Sequence, residues 1–343
     1  MLILRDCIYS VGLWNDNPGA SRFGEATRSV KTVIEKIRMF AKLGVGALEA
    51  HDNEITPEMA PEIVKVLQSE GMIMGMYTPN FFWDAQYANG ALASHNVATR
   101  RSAIERFKRA IDTAHVLLAR LLVYWNGQEG SDVSLGKCNI EALKYLQDAF
   151  NEVLEYDSSQ YGAEALRIAI EPKPNEPRCH MLLPTVGDAL AFAMSLDPKH
   201  NQRVGVNPET AHSIMIGLDY VKDLESALFY KRLFHVHLND QEGPKYDQDL
   251  AFASAHLKRG LETVAVLDHH NYKGLIGFDL NPLRTDSDGN RSRIIRASIR
   301  NFERLLEIAQ ELNWENVQSM RNRGDFSSLD EYLDGLIFDP SPF

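Results

Sequence analysis

Cysteine is scarce in this sequence: its 343 residues include only Cys7, Cys138 and Cys179, and their spacing suggests no pairing. Small secreted domains are rich in paired cysteines, so we expect reduced thiols and a cytoplasmic protein. No run approaches the roughly 18 consecutive apolar residues that a transmembrane helix needs. The first ten residues, MLILRDCIYS, lack a basic segment followed by a long apolar one, so we expect no signal peptide.

Positive charge is also in short supply, with 36 Lys and Arg against 47 Asp and Glu and a net charge of −11. Nucleic-acid binding relies on a basic surface, so we expect no such partner. The sequence has no low-complexity linker and no break in composition. We therefore expect one barrel over residues 1–315, followed by a short C-terminal tail over residues 316–343.

Eight short apolar or β-branched runs alternate with amphipathic stretches along the chain. The runs cover about residues 8–13, 47–51, 72–78, 120–125, 166–171, 204–208, 233–238 and 275–280. The clearest helical stretches are Lys31–Leu43 and Ile294–Leu312, with others over residues 134–162 and 251–274. Eight strand–helix units are the number that closes a parallel barrel, so the pattern predicts an α/β protein with a (β/α)8 TIM-barrel fold.

Residue types that can bind divalent metals lie at or just after the ends of four of the predicted strands. The segments are 168–173 (IAIEPK), 204–209 (VGVNPE), 233–239 (LFHVHLN) and 275–280 (LIGFDL), and a further acidic loop covers 246–249 (YDQD). Burying unpaired charge is costly unless a cation or hydrogen bonds compensate it. Active sites of such barrels lie at the C-terminal ends of the strands, so the pattern predicts a two-cation site there.

The residue types indicate which metals fit. Glu171 and Lys173 share one face of an extended chain, where they can hold a cation and polarise a ligand oxygen; a surface ion pair is the other interpretation. A mixed oxygen and nitrogen set is formed by Glu209, His212, Asp247 and Asp249. Such a set suits Mg²⁺, Mn²⁺ or Co²⁺ better than a metal that prefers thiolates.

His51 ends the second predicted strand, and Glu54 is close enough in sequence to orient one of its ring nitrogens. A histidine with a pKa near the usual ~6.5 can move a proton at neutral pH, although a structural role is the alternative. Aromatic residues near other strand ends favour the functional interpretation: Trp14, Phe82 and Trp125. Together they would form a dry wall beside the metals.

Several longer strings resemble xylose isomerase of the compact class. They are EPKPNEPR at 171–178, LLPTVG at 182–187, GVNPE at 205–209 with His212, KYDQDL at 245–250, FD at 278–279, RFGEATR at 22–28, TPNFF at 78–82 and WNGQE at 125–129. The resemblance covers residues 8–290 or so, with the motifs in order.

The resemblance implies a role for each matching residue. A first cation would be held by Glu171, Glu209 and Asp279, and a second by Glu209, His212, Asp247 and Asp249. Lys173 would bind the substrate carbonyl oxygen, and His51 would assist ring opening with Glu54. The sugar pocket would be lined by Trp14, Phe82 and Trp125, while Phe23 would reach into a neighbouring subunit of a homo-oligomer, a dimer or tetramer.

The implied activity converts D-xylose to D-xylulose, and D-glucose to D-fructose, by ring opening and a metal-promoted 1,2-hydride shift. His237 departs from the pattern, because the family has an aspartate there. The exchange removes a negative charge and a hard oxygen, so we expect a softer metal in the first site with His237 as its fourth ligand. The other interpretation turns His237 toward His235 and leaves no cation in the first site.

Other differences leave the substrate open. The connection from His51 to Thr78 is shorter than in the family, the loop over residues 84–95 has its own sequence, and the family's long C-terminal arm is largely missing. The alternatives are an isomerase or epimerase of another free sugar, a catalytically impaired sugar-binding homologue, and an endonuclease-like hydrolase. The acidic balance and the position of Lys173 beside a metal-binding glutamate disfavour the hydrolase.

Overall fold

The computed structural model describes residues 7–20 and 24–338, and it confirms the predicted α/β barrel. Seven parallel strands build its wall: β1 (Tyr9–Gly12), β2 (Ala47–His51), β3 (Ile73–Thr78), β4 (Leu121–Trp125), β6 (Ile168–Glu171), β8 (Val204–Val206) and β9 (Ile276–Phe278). Their order in the sheet is β8-β6-β4-β3-β2-β1-β9. Two short strands, β5 (Gly130–Ser131) and β7 (His180–Met181), pair antiparallel at the rim of the barrel.

The seventh predicted strand, over residues 233–238, closes the barrel in a less regular way. It bridges to β8 at Leu233 and to β9 at His237, so it lies between the two edges of the sheet. The amide of Phe234 donates to Val206, and that of Leu238 donates to Gly277. Pro208 has no N–H to donate, so a continuous ladder cannot run past the end of β8.

Eleven α-helices are present among the described residues. They are α1 (Val33–Ala41), α2 (Ala60–Ser69), α3 (Val97–Val116), α4 (Asn139–Tyr161), α5 (Val186–Ser195), α6 (Thr210–Ile214), α7 (Tyr220–Phe229), α8 (Leu257–His269), α9 (Arg293–Ala309), α10 (Trp314–Arg323) and α11 (Phe326–Phe338). Helix α9 shows why they pack on the sheet, because Ile295, Ile299, Phe302 and Leu306 recur at helical spacing and are all buried.

Local sequence fixes where these helices begin. Thr32 and Glu35 form a reciprocal capping box, so α1 begins at Val33, inside the predicted stretch. Helices α10 and α11 contact α8 of the barrel: Trp314 stacks on His269 at 3.8 Å, and Lys258 binds Asp330 on α11. The division into a barrel and a tail at residue 315 stays a prediction. Among the described residues, every helix is too short or too polar to cross a lipid bilayer.

Candidate active site

Four predicted ligands meet where their strands end. Glu171, Glu209, His237 and Asp279 each offer one ligand atom within 4.8 Å of the others, and we call them the first ligand group. Nδ1 of His237 lies 3.0 Å from Glu171, 3.7 Å from Glu209 and 4.0 Å from Asp279. Parallel strands bring their C-terminal ends to one face, which is why residues so distant in sequence converge.

A second ligand group shares one residue with the first. Glu209, His212 and Asp247 also place one ligand atom each within 4.8 Å of one another. Nε2 of His212 lies 3.3 Å from Glu209 and 3.2 Å from Asp247. Nδ1 of the same ring lies 3.0 Å from the carbonyl oxygen of Pro172, which directs Nε2 into the group. Glu209 therefore lies between the two groups.

Asp249 lies beside the second ligand group but is not part of it. The side-chain amide of Asn239 donates to Asp249 over 3.0 Å and to Glu209 over 2.9 Å, so it holds the two carboxylates near each other. Burial and the neighbouring carboxylates of Asp247, Asp279 and Glu209 raise the pKa of Asp249 well above its usual range. Its role as a ligand stays a prediction.

Lys173 lies at the edge of the second ligand group. Its ammonium donates to Asp247 over 2.6 Å and lies 5.7 Å from the centre of the Trp125 ring. Burial alone would lower the pKa of Lys173, but Asp247, Asp249 and Glu209 raise it above the ordinary value. The side chain is therefore a fixed positive charge beside the predicted metal ligands.

The predicted aromatic wall forms a continuous row with His51. The ring of His51 lies 4.7 Å from that of Trp14 and 5.4 Å from that of Phe82, and Phe82 lies 4.6 Å from Trp125. Nδ1 of His51 is 3.1 Å from Glu54, so Nε2 is the ring nitrogen left for a ligand. Trp14, His51, Phe82 and Trp125 line one pocket of about 230 Å³, together with the members of the two ligand groups other than Glu209.

The donor set fits a divalent cation. Glu209 Oε2 and Asp247 Oδ1 are buried and have no hydrogen-bond partner within the part of the chain that the structure describes. Burial, with the nearby Glu209 carboxylate, raises the pKa of Asp279 to about 8. Crowded carboxylates with unused oxygens are stabilised by a cation, and their combination with imidazole suits Mn²⁺, Co²⁺ or Zn²⁺ as well as Mg²⁺.

His237 presents opposite ring edges to two different surroundings. Its Nδ1 faces the first ligand group, whereas its Nε2 lies 2.9 Å from Glu49. The interpretation in which His237 turns to hydrogen-bond His235 does not match this geometry. The two imidazoles share Glu49 instead, since Nε2 of His235 also lies 2.9 Å from that carboxylate.

Sequence reasoning missed three polar residues that support the ligands. Glu49 lies two residues before His51 on the same strand, so strand alternation places both side chains on the inner face of the barrel. Asn207 donates to Glu171 over 2.7 Å, and Asn239 joins Glu209 to Asp249. The alternation was a usable signal for Glu49, whereas nothing in the sequence singled out the two asparagines. The predicted partner-contacting residue Phe23 lies outside the described residues.

Comparison with known proteins gives one family and a set of similar folds. The family described as "Xylose isomerase-like TIM barrel" matches residues 37–287. A solved D-tagatose 3-epimerase-like protein has a TM-score of 0.67 and 18% identity, covering 89% of this chain and 98% of that one. D-psicose 3-epimerase from Clostridium cellulolyticum H10, solved with D-tagatose, has a TM-score of 0.66 and 13% identity, covering 87% of this chain and 99% of that one. For 3-keto-D-glucoside 4-epimerase from E. coli, the TM-score is 0.61 and the identity 13%, covering 87% of this chain and 99% of that one. Identities this low show a common fold.

Proposed function

The chain belongs to the xylose isomerase-like TIM barrel family, and we propose that it is a metal-dependent enzyme that interconverts isomers or epimers of a free sugar. The observation that carries this proposal is Glu209. Its carboxylate is shared by two groups of oxygen and nitrogen ligands, and Lys173 lies at their edge. A cluster of this kind suits a substrate with several adjacent oxygens, because each oxygen finds a cationic or hydrogen-bonding partner.

We place another free sugar ahead of D-xylose as the substrate. The motifs predict conversion of D-xylose to D-xylulose and of D-glucose to D-fructose. The similar structures are described as a D-tagatose 3-epimerase-like protein, a D-psicose 3-epimerase and a 3-keto-D-glucoside 4-epimerase. The exchange of aspartate for His237 also changes the charge of the first ligand group. Both observations favour a sister reaction in the same pocket.

The first ligand group and the second would each hold one divalent cation. Bound there, the cations would supply Lewis-acid polarisation of neighbouring sugar oxygens. Asn207 and Asn239 fix the rotation of Glu171 and Glu209 before a substrate arrives. This arrangement reduces the reorganisation that the reaction requires.

Lys173 and His51 act directly on the sugar. The Lys173 ammonium donates a hydrogen bond to the carbonyl oxygen of the open-chain sugar and so stabilises negative charge that develops there. Glu54 holds Nδ1 of the His51 imidazole, which leaves Nε2 free to transfer a proton. Nε2 of His51 can take a proton from a hydroxyl of the cyclic sugar and release it to the sugar's ring oxygen as the sugar opens. Glu54 also stabilises the imidazolium form that this transfer creates.

The aromatic row controls access of water. Trp14, Phe82 and Trp125 present apolar surface to one side of the pocket. A hydrogen that moves between adjacent carbons is protected from exchange when water is excluded from that side. Trp14 also donates from its indole N–H to Asp279 over 2.7 Å, so the wall and the first ligand group are physically joined.

A substrate panel in D₂O tests the proposal. The protein, loaded with Mg²⁺, Mn²⁺ or Co²⁺, is incubated with free aldopentoses, aldohexoses and ketohexoses, and products are identified by NMR. Aldose–ketose conversion without deuterium uptake indicates a hydride shift, whereas inversion with deuterium at the inverted carbon indicates proton exchange. Absence of any conversion across the panel with all three metals would contradict the proposed function. We expect a chelator to abolish the activity and added metal to restore it.

The predicted homo-oligomer belongs to the same proposal. It rests on the resemblance of RFGEATR at 22–28 to the family, which implies that Phe23 reaches into a neighbouring subunit. We expect light scattering at micromolar concentration to give at least a dimer. A monomer with full activity would contradict this part of the proposal.

A further inference from the structure

A buried carboxylate lies beneath the first ligand group, inside the barrel. Glu49 on β2 is completely buried and contacts two imidazoles, one with each oxygen. Oε1 lies 2.9 Å from Nε2 of His235, and Oε2 lies 2.9 Å from Nε2 of His237. A buried charge of this kind is costly unless its partners are well placed, and the reaction proposed above does not use it.

The contact constrains which nitrogen of His237 faces a metal. An ionised carboxylate only accepts hydrogen bonds, so Nε2 of His237 carries the proton that Glu49 accepts. Nδ1, which lies 3.0 Å from Glu171, is then the ring nitrogen that carries the lone pair for a cation in the first ligand group. The side-chain nitrogen of Asn207 lies 3.1 Å from this Nδ1 and can donate to its lone pair. A carboxylate behind a metal-binding imidazole is a common way to fix the ring and increase its basicity.

His235 holds the other half of the same carboxylate. Its Nε2 is hydrogen-bonded to Oε1 of Glu49. Its Nδ1 is buried and has no hydrogen-bond partner among residues 7–20 and 24–338. With both oxygens held, the Glu49 carboxylate cannot rotate away from His237. Gly277 leaves room for the pair, since a Cβ there would lie 2.6 Å from Nε2 of His235 and 2.9 Å from Cδ2 of His237.

We propose that Glu49 is a positioning residue that keeps Nδ1 of His237 available as a metal ligand and supplies the negative charge that a neutral imidazole lacks. The proposal rests on the metal-dependent function proposed above. The aspartate that the family motif implies at position 237 would bring its own charge. Here the imidazole of His237 provides the ligand atom, and the carboxylate of Glu49 behind it provides the negative charge.

Glu49→Gln tests this role while preserving shape. The new amide accepts a hydrogen bond from one imidazole but must donate to the other, which then needs its proton on Nδ1. On His237 this blocks the ligand atom, and on His235 it creates a buried N–H without a partner, which is costly. In either case we expect the cation of the first ligand group to bind about 10- to 100-fold more weakly.

The measurement is titration of the chelator-treated full-length protein with Co²⁺, followed by visible absorption and calorimetry, which needs no sugar turnover. We expect the wild type to bind two equivalents of Co²⁺. In the Glu49→Gln variant, one equivalent should bind more weakly and the other should bind with unchanged affinity. Asp157→Asn is the matched control, because Asp157 is a buried carboxylate 3.0 Å from Nε2 of His115. Its other partners, Leu166 and Arg203, precede β6 and β8, so it lies at the opposite end of the barrel.

A double variant separates positioning from a merely structural role. In Glu49→Gln/His235→Gln, the amide at position 235 can turn its oxygen toward the amide at position 49. The oxygen at position 49 is then free to accept from His237, so we expect part of the lost Co²⁺ affinity to return. If Glu49→Gln does not fold, Glu49→Asp provides the same test, because its shorter side chain keeps the charge but cannot reach both imidazoles.

Two results would overturn the proposal. If the Glu49→Gln variant bound both equivalents of Co²⁺ with the affinity of the wild type, the carboxylate would not position His237. Equal weakening of both equivalents, matched by Asp157→Asn, would show a general loss of stability. Failure of the proposed function is distinguishable from both, because it is read from the sugar panel with the unsubstituted protein, whereas the role of Glu49 is read from Co²⁺ binding without sugar.

Discussion

Lys173 donates a hydrogen bond to Asp247 over 2.6 Å, so the residue expected to bind the substrate carbonyl contacts a residue expected to bind the second cation. The positive charge of Lys173 lowers the pKa of the Asp247 carboxyl, against the effect of burial. A cation in the second ligand group and the Lys173 ammonium therefore compete for the same carboxylate. Their effects on binding and on turnover should differ in direction.

We predict that Lys173→Met binds the second cation more tightly and turns over sugar at least about 100-fold more slowly. Tighter binding follows because the substitution removes a nearby positive charge and frees Asp247. The slower reaction follows because a positioned donor at a developing negative charge is lost. Calorimetry with Mn²⁺ and a steady-state assay measure the two effects. Near-full turnover on every substrate would contradict the role of Lys173.

Glu209→Gln should weaken the binding of both cations, because the Glu209 carboxylate belongs to both ligand groups. Glu171→Gln is the matched comparison, since Glu171 belongs to the first group alone. We expect two weakened equivalents in the Glu209 variant and one in the Glu171 variant, with turnover reduced at least about 100-fold in the former. Equal metal binding in the two variants would show that Glu209 is not shared.

Metal binding should release a proton from Asp279. The pKa of its carboxyl is about 8 because burial and Glu209 disfavour the ionised form. At pH 7 the metal-free carboxyl is mostly protonated, so a cation must displace that proton, and affinity rises with pH until about 8. Below that value, affinity should fall about tenfold per pH unit for this one proton.

Calorimetry at pH 7 in two buffers of different ionisation enthalpy measures the number of protons released when the metal binds. Trp14→Phe is informative because the indole N–H donates to Asp279 and lowers the pKa of its carboxyl. Without that donor the pKa rises further, so the variant should bind the first cation more weakly at pH 7 and approach wild type at higher pH. Identical pH profiles for the two proteins would argue against proton displacement from Asp279.

Removing the metal should destabilise the folded protein. Carboxylates of the two ligand groups repel one another, and Glu209 and Asp247 each leave one buried oxygen unpaired within the described residues. A cation that binds only the folded state adds about 2.7 kcal/mol when its concentration is 100 times its Kd. Thermal melts with chelator and with Mn²⁺ measure this gain. Glu209→Gln should show a smaller shift, and an unchanged melting temperature in wild type would contradict binding to the folded state.

The sequence predicted the barrel well because each strand and helix carries its own period of apolar residues. Seven of the eight predicted runs contain a strand, and the remaining run closes the barrel by bridges near Leu233 and His237. Irregular pairing depends on the partner strands, here on Pro208 at the end of β8, so a single run could not reveal it.

The candidate site was predictable where a residue type has few other reasons to be buried. Carboxylates and histidines at strand ends met this condition, and the structure brings Glu171, Glu209, His237 and Asp279 together. Glu49 was harder to interpret, because strand alternation places it on the inner face of the barrel but does not reveal its partners. Its partners are His235 and His237, 186 and 188 residues away in sequence.

His237→Asp tests how the first ligand group selects its metal. An aspartate would restore a hard oxygen, so we expect preference to move from Mn²⁺, Co²⁺ or Zn²⁺ toward Mg²⁺. The substitution also deprives Glu49 of one of its two partners and leaves a buried oxygen unpaired, so the single variant should be less stable than wild type.

Adding Glu49→Gln to His237→Asp should recover stability, because the buried charge is removed while the amide can still contact His235. The double variant should keep the preference for Mg²⁺, since the new carboxylate supplies the charge that Glu49 supplies in wild type. Binding titrations with Mg²⁺, Mn²⁺ and Co²⁺, together with denaturant unfolding, measure both effects. If the order of metals were the same in all three proteins, His237 would not be a ligand, and its contact with Glu49 would serve the barrel interior alone.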